Sequence, residues 1–471
     1  MLFTSPGFYL FLAIVLAVFA LLPATLRIVW LMLASLFFYG VATPWNLAFL
    51  GGVMAGGFIC TWLAERAATD RAAKGWLTFG ALGLIGALVV LKFYDATATA
   101  LGLPQLGITA PAGYSFYTFM VVAHLIDLGR GSITPPSLAG YLLYVSWFPK
   151  IFAGPIERSA TFVPQLAQGL RLHPGMALLG FSLVLAGLIK KLVIADNLAP
   201  VVDAAFAIPA YAPPMELLIA AYFFAFQIYC DFAGYSDIAI GLSALFGLQL
   251  RDNFRRPYLS RSIGEFWAER WHITLGNWFR DYLYFPLGGS RRGGVRKIAN
   301  LMCVFAISGL WHAGLGYGVG WGFLIWGLLN GVFVSVENLL ALGAGKAPPG
   351  RGHWLSVILQ TLLTFHLIGL AWVFFRAATI SDALTILRRI AAALPSLPGL
   401  LPVYPFSADH ALGATLVLGL MAIELAAGRQ PLPARLLTWP RPVRWGVWYG
   451  GLALLLVFGR WQGGSFIYMQ F

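Results

Sequence analysis

Charge is scarce in this sequence. Only 10% of its 471 residues are Asp, Glu, Lys or Arg, whereas 59% are hydrophobic. An ordinary soluble domain carries about 25% charged residues. A soluble fold this poor in charge could not cover its surface, so that class is excluded. Cysteine is scarce too. Cys60, Cys230 and Cys303 each sit inside an apolar run, which leaves neither a disulfide framework nor a CxxC metal pair. A Walker loop, a dinucleotide fingerprint and a GxSxG elbow are all missing. The glycine-rich run after His312 lacks the lysine and the preceding strand that a phosphate loop needs. No fixed-period repeat occurs. The first apolar stretch, residues 8–22, has no basic region before it and no small-residue cleavage site after it, so it reads as a retained span.

What the chain has in abundance is apolar segments of bilayer length, about 20 residues each. They fall near 8–22, 26–42, 45–64, 76–98, 114–128, 138–153, 177–195, 215–247, 297–311, 317–340, 354–376, 410–427 and 445–460. The pattern predicts an all-α polytopic membrane protein with ten to twelve crossings; 215–247 is long enough for two pieces. One membrane domain covers 1–471: N-terminal spans over 1–110, a motif-bearing core over 111–340 and C-terminal spans over 341–471. The net charge of +13 does not indicate nucleic acid, because the basic residues lie in the short gaps between apolar segments. That is the positive-inside pattern. Arg66, Arg71 and Lys74 mark the gap 65–75 as cytoplasmic, and Arg429, Arg435, Arg441 and Arg444 mark 428–444 likewise. Both termini are then outside, with an even number of crossings.

The stretch 251–297 is neither apolar enough to span nor loop-like. Ser262 followed by Glu265 reads as a capping box opening a helix. Trp267, Trp271, Leu275, Trp278 and Tyr282 recur at three- and four-residue spacing, which puts them on one helical face, with Glu269 and Arg280 nearly opposite. Two readings stand: an amphipathic helix at the headgroup level, or a re-entrant helix lining a cavity enclosed by protein.

Among seven histidines, His173, His353 and His410 fall in loops or at segment ends, and His124 and His366 in apolar runs. His312 differs. It follows Ser308-Gly309-Leu310-Trp311 and precedes the glycine-rich run 313–320. An ionisable group at membrane depth is a functional candidate, and imidazole suits proton transfer near neutral pH; a satisfied structural histidine is the alternative. His272 lies on the flank of the aromatic helix. Neither has a third ligand at helical spacing, so no metal site is expected. Asp231 and Asp237, six apart, face different sides of a helix and make a poor metal pair.

Several stretches together resemble the membrane-bound O-acyltransferase superfamily, in its bacterial branch of alginate acetylation and teichoic-acid D-alanylation proteins. They are Pro111-Ala112-Gly113-Tyr114-Ser115-Phe116-Tyr117-Thr118-Phe119; Phe148-Pro149-Lys150 with Ala153-Gly154-Pro155-Ile156-Glu157-Arg158; and Asp231-Phe232-Ala233-Gly234-Tyr235-Ser236-Asp237. The most specific runs from Asn253-Phe254-Arg255-Arg256-Pro257-Tyr258 through Arg270-Trp271-His272-Ile273-Thr274-Leu275 and Trp278-Phe279-Arg280-Asp281-Tyr282 to Pro286-Leu287-Gly288-Gly289. Trp311-His312 with Trp326-Gly327 and the ending Phe466-Ile467-Tyr468-Met469-Gln470-Phe471 complete the set. Departures are Ala313 where many relatives have glycine, a longer glycine-rich connection, and Asn330 where some have histidine. They read as tuning access to the site.

The resemblance implies a helical bundle with re-entrant or interfacial helices around a central funnel, in a bacterial inner membrane with both termini periplasmic. It implies His312 and His272 as active-site residues, with Trp311, Trp271, Asn277, Trp278, Arg280, Asp281 and Ser308 along the donor tunnel. The donor would be a cytoplasmic thioester, acetyl-CoA or an acyl-carrier protein, with no bound cofactor. The acceptor would be a hydroxyl on a periplasmic SGNH-type acetyltransferase or a helper peptide, within an exopolysaccharide synthesis complex. Alginate or a similar polymer is the expected destination, with peptidoglycan or teichoic acid as alternatives. A proton-coupled transporter is the competing class, disfavoured because no inverted repeat appears; a non-catalytic scaffold is the third.

Overall fold

The computed structural model describes residues 2–41, 43–313, 320–343, 353–428, 430–461, 464, 466 and 467. Their regular structure is all helical, without strands. In a bilayer every backbone polar group must be satisfied internally, and helices do this within one segment. Among the described residues seven helices are long and apolar enough to cross a membrane: Asn46–Glu65, Asp70–Leu101, Pro174–Ala207, Pro214–Leu245, Trp321–Leu340, Trp354–Arg376 and Ala408–Ala427. This is fewer than the ten to twelve crossings expected. Pro6–Leu21 and Ala24–Gly40 are apolar but shorter, and the 19-residue helix Gly294–His312 opens with Arg296 and Lys297. The chain is a multi-pass membrane protein.

Two segments differ from expectation. Residues 215–247 do not form two pieces: Pro214–Leu245 is one unbroken 32-residue helix, because nothing in its interior breaks the hydrogen-bond ladder. Residues 138–153 form only the short helix Leu138–Ser146 and a 3₁₀ turn, Phe148–Lys150, with Pro149 in it; proline removes the donor that would continue the helix.

Pro214–Leu245 is the central column. Pro174–Leu188 packs on it backbone to backbone through glycines. A Cβ on Gly180 would stand 2.6 Å from the Gly241 carbonyl oxygen, and one on Gly187 would stand 2.5 Å from that of Gly234. Small residues drive such approaches in membranes, where apolar side chains gain little by leaving lipid. A π-helical turn, Ile189–Ala195, follows. Within it Lys191 pairs with Asp231 at 2.8 Å and Asp196 at 2.9 Å, and Lys190 pairs with Asp237 at 2.7 Å. Asp231 and Asp237 are thus counter-ions for two adjacent lysines. Asp231 also accepts the Ile467 N–H at 2.7 Å, and Phe466 is buried edge-on to Tyr235. This part of the aromatic ending is tucked into the bundle; residues 468–471 lie outside the described set.

The two arginine-bearing gaps share a side, linked through the loops between them: Arg130 and Arg251 line one cavity, and Gly247 packs on the Arg171 backbone just before Pro174–Leu188. Leu77 packs against Gly129 and Gly80 against Leu125, so the start of Asp70–Leu101 meets the end of Tyr114–Gly129. Arg441–Phe458 runs parallel to Pro174–Leu188, with Trp448 donating to Ser182 and the Arg460 N–H to Leu192. Residue 460 therefore lies on the side opposite the gap at 428–444, of which Arg429 is outside the described residues.

Helices Gly294–His312 and Trp321–Gly343 form an antiparallel pair that sets the height of His312. A Cβ on Gly309 would meet the Phe323 carbonyl oxygen at 2.5 Å, and one on Gly327 would meet that of Phe305 at 2.3 Å. Gly327→Ala is expected to push the pair apart at a cost of about 1–3 kcal/mol, lowering the thermal midpoint of the detergent-purified protein and its activity together. An unchanged midpoint would show that the contact is slack.

Candidate active site

His312 is the last residue of Gly294–His312 and is 3% exposed. Four aromatic rings enclose its imidazole: Trp311 at 4.6 Å, Trp326 at 5.0 Å, Phe375 at 5.5 Å and, near-parallel, Phe323 at 6.5 Å. Its Nδ1 lies 2.7 Å from the Ser308 carbonyl oxygen. A carbonyl only accepts, so Nδ1 carries the proton and Nε2 presents the lone pair. Ser308 thus acts through its backbone, fixing the tautomer of the imidazole. Ala313 is extended and closes the turn with its N–H on Leu310. Residues 314–319 of the glycine-rich run lie outside the described set.

His272 sits where the aromatic helix breaks. The stretch 262–283 is not one helix. Ile263–Glu265 runs into a π turn at Phe266–Arg270; Trp271 is extended, and His272 takes φ 43°, ψ 52° before Ile273–Phe279 and a second π turn at Arg280–Tyr284. A left-handed conformation costs a residue with a large side chain about 1–3 kcal/mol, so its surroundings must hold it. Asn253 does so. Its carbonyl accepts the Ile273 N–H at 3.0 Å, and its Oδ1 accepts from the Thr274 hydroxyl at 2.8 Å and N–H at 3.3 Å. The same Oδ1 lies 3.0 Å from His272 Nδ1. The Thr274 N–H fixes which amide atom is oxygen, so His272 also donates from Nδ1. The expected capping box is half present: Ser262 Oγ accepts from the Glu265 N–H, but the Glu265 carboxylate turns back to the Arg261 N–H instead.

The aromatic face is as expected despite the break. Trp271, Leu275, Trp278 and Tyr282 are buried, while Glu269 and Arg280 are exposed. Its rings join the two histidines. Trp271 lies 5.0 Å from Trp372, which lies 5.7 Å from Trp326 beside His312. Phe116 contacts both His272 and Trp311, so one ring bridges the surroundings of the two histidines. Asn330 accepts the Trp267 indole N–H at 3.0 Å, which holds the Trp267–Trp326 contact of 5.5 Å.

A second aromatic file leads away from His312. Trp311 stacks on Phe119 at 5.5 Å, and Phe119 on Trp278 at 4.1 Å with the planes 7° apart. Trp278 donates to the Phe119 carbonyl at 2.9 Å and meets Tyr282 at 5.3 Å. The file ends at a cavity of about 780 Å³ lined by Arg130, Arg158, Arg251 and Arg280 with Asp127 and Asp281. Arg158 bonds Asp281 at 2.8 Å, the Tyr282 hydroxyl at 2.7 Å and the Asn277 carbonyl at 3.2 Å. Asn277 therefore contributes through its backbone. Burial pushes the Asp281 carboxyl up, but Arg280 and Arg158 outweigh it and hold the carboxyl below its usual range. Four guanidiniums against two carboxylates leave the cavity net positive, and it lies on the side of the 65–75 gap. A cavity of about 740 Å³ reaches Phe323 and Phe375 from the other side, bounded by Lys191, Asp196, Asp231 and Ile467.

The chain has relatives among known proteins. Residues 28–375 match the membrane-bound O-acyltransferase family. The chain is 34% identical over 403 residues to a probable alginate O-acetylase of Azotobacter vinelandii, covering 81% of this chain and 76% of that protein. This chain belongs to the membrane-bound O-acyltransferase family. Another relative is a peptidoglycan O-acetyltransferase of Helicobacter pylori, 33% identical over 397 residues, covering 76% of this chain and 72% of the relative. A teichoic acid D-alanyltransferase of Bacillus subtilis is 27% identical over 270 residues, covering 54% and 66%. The chain is an O-acyltransferase, which removes the transporter and scaffold readings.

Residues that sequence reasoning passed over are Asn253, Lys92 and the Lys190–Lys191 pair. A lysine inside an apolar run was the available signal for the last three.

Proposed function

We propose that this acyltransferase takes an acetyl group from a phosphate-bearing thioester made in the cytoplasm, acetyl-CoA or an acyl-carrier protein. It passes the group across the inner membrane for O-acetylation of an exopolysaccharide such as alginate. The observation that carries this reading is a buried histidine whose ring wall meets one cavity at Phe323 and Phe375, while the stack Trp311–Phe119–Trp278–Tyr282 runs from it toward a second cavity lined by four arginines. Guanidinium clusters suit phosphate oxygens through charge-assisted hydrogen bonds, and the positive-inside rule makes that side cytoplasmic, with both termini periplasmic.

In the proposed reaction an acceptor hydroxyl attacks the thioester carbonyl carbon while His312 Nε2 takes its proton. The C–S bond breaks, and the departing thiolate takes that proton from the imidazolium. The ring wall around His312 excludes water, which would otherwise hydrolyse the donor. His272, fixed by Asn253, orients the donor or the acceptor beside it. The acceptor in this reading is a hydroxyl of a periplasmic SGNH-type acetyltransferase or helper peptide, presented at the mouth of the cavity of about 740 Å³. Names of relatives that include peptidoglycan and teichoic acid keep those polymers as the alternative destination.

The test uses inside-out membrane vesicles from expressing cells, supplied with labelled acetyl-CoA outside. Label should enter base-labile ester in the vesicle fraction. Arg158→Ala and Arg280→Ala should raise the KM for acetyl-CoA roughly tenfold each, on the order of a lost charge-assisted hydrogen bond, with a smaller change in kcat. Absence of vesicle label with the wild-type chain would overturn acetyl transfer from this donor; unchanged KM would remove the arginine cavity from donor binding.

A further inference from the structure

A lysine inside the Asp70–Leu101 helix has no part in the reaction above. Lys92 stands between Leu91 and Phe93, and is 5% exposed. Burying an ammonium is expensive unless it is paired and hydrogen-bonded. Among the described residues no carboxylate lies within ion-pairing distance of it. Its ammonium donates instead to two backbone carbonyls, those of Trp311 and, at 3.3 Å, Ala313. These are the residues on either side of His312. The Nζ also lies 5.5 Å from the centre of the Trp311 ring, within range of a cation–π attraction.

The location explains why a cation is tolerated there. The last carbonyls of a helix lack intrahelical donors, and the helix dipole places partial negative charge at that end. Gly294–His312 ends at His312, so Lys92 occupies the position of an internal C-terminal cap contributed by another helix. A cap seated one turn back would steady the helix alone. Lys92 spans the site residue, holding the chain just before and just after it.

We propose that Lys92 is a positioning residue for acyl transfer, clamping the carbonyls of Trp311 and Ala313 so that the His312 imidazole is held in one place. This rests on the reading of His312 as the base. With the clamp removed, the Trp311–His312–Ala313 turn loses the two hydrogen bonds that grip it on either side of His312. A displacement of about 1 Å at a reacting group costs on the order of 10²-fold in rate.

The experiment compares Lys92→Met, Lys92→Arg and His312→Ala in the vesicle assay, with folded yield and thermal midpoint measured on detergent-purified protein. Lys92→Met should lose about 10- to 100-fold in kcat, with the KM for acetyl-CoA unchanged. Lys92→Arg should recover part of the loss, because a guanidinium still bridges two carbonyls. If Lys92→Met does not accumulate, Lys92→Gln, which keeps N–H donors on a shorter, uncharged side chain, should lose kcat by a smaller factor with the KM for acetyl-CoA unchanged. Wild-type kcat in Lys92→Met or Lys92→Gln, beside an inactive His312→Ala, would overturn the clamp and leave the base reading intact. A kcat loss matched by an equal loss of folded protein would reduce Lys92 to a stability role and overturn it as well. Activity retained by His312→Ala would bring down the base reading itself, and the clamp with it.

Discussion

Replacing His312 with alanine is expected to abolish acyl transfer while the chain remains folded and inserted. A positioned general base contributes about 10²–10⁴-fold, and His312 is the imidazole with a wall of rings on every described side. The substitution leaves a small apolar void among Trp311, Trp326, Phe323 and Phe375 and strands no charge, so the folded yield should change little. It also frees the Ser308 carbonyl of its side-chain partner, a minor loss beside the helix hydrogen bonds that remain. Incorporated ester label, measured against protein recovered from the same membranes, is the readout. A well-expressed variant working at the wild-type rate would show that the base lies elsewhere. His272→Ala should also impair transfer, by a smaller factor, because its proposed part is to orient the donor or acceptor rather than to take the proton. Asn253→Ala should act in the same direction, and it should also cost folded protein, since Asn253 braces the strained turn at His272.

Lys191→Met is expected to give the largest loss of stability. The change leaves Asp231, 1% exposed at its side chain, and Asp196, 9% exposed, facing each other without their shared cation. Breaking a buried ion pair from one side typically costs about 3–5 kcal/mol. Much of that cost is the uncompensated charge, so Lys191→Met with Asp231→Leu should be more stable than Lys191→Met alone. Thermal midpoints and monodisperse yield in detergent compare the two. A single variant as stable as the wild-type chain would mean that water or another cation already serves these carboxylates.

The broad architecture could be read from the sequence because a bilayer imposes a length on every crossing and a charge rule on every gap. The face formed by Trp271, Leu275, Trp278 and Tyr282 was legible for a related reason: burial selects apolar side chains at helical spacing. The break at His272 was not. Two π turns and one left-handed residue re-aim the chain without disturbing the spacing of the tryptophans, so periodicity carries no trace of them. The partners of the histidines were equally hidden. Asn253 precedes His272 by nineteen residues, and Lys92 precedes Trp311 by 219; only the fold brings such groups together. Asp231 and Asp237 were judged by their own separation and seen to be a poor metal pair. Their counter-ions lie on a different helix, at adjacent positions that a π turn directs to successive turns of the column.

The hydrogen bond from the Ile467 N–H to Asp231 has a consequence for biogenesis. A chain is made from its N-terminus and folds as it emerges, so the Lys191–Asp231–Asp196 cluster enters the membrane long before residue 467 exists. Until then one oxygen of Asp231 must be served by water, and the wall of the cavity beside Phe323 stands unfinished. That part of the cavity wall is therefore completed late in synthesis, when Ile467 reaches Asp231. A chain stalled or clipped before residue 467 would lack this hydrogen bond, and Asp231 would keep only its lysine.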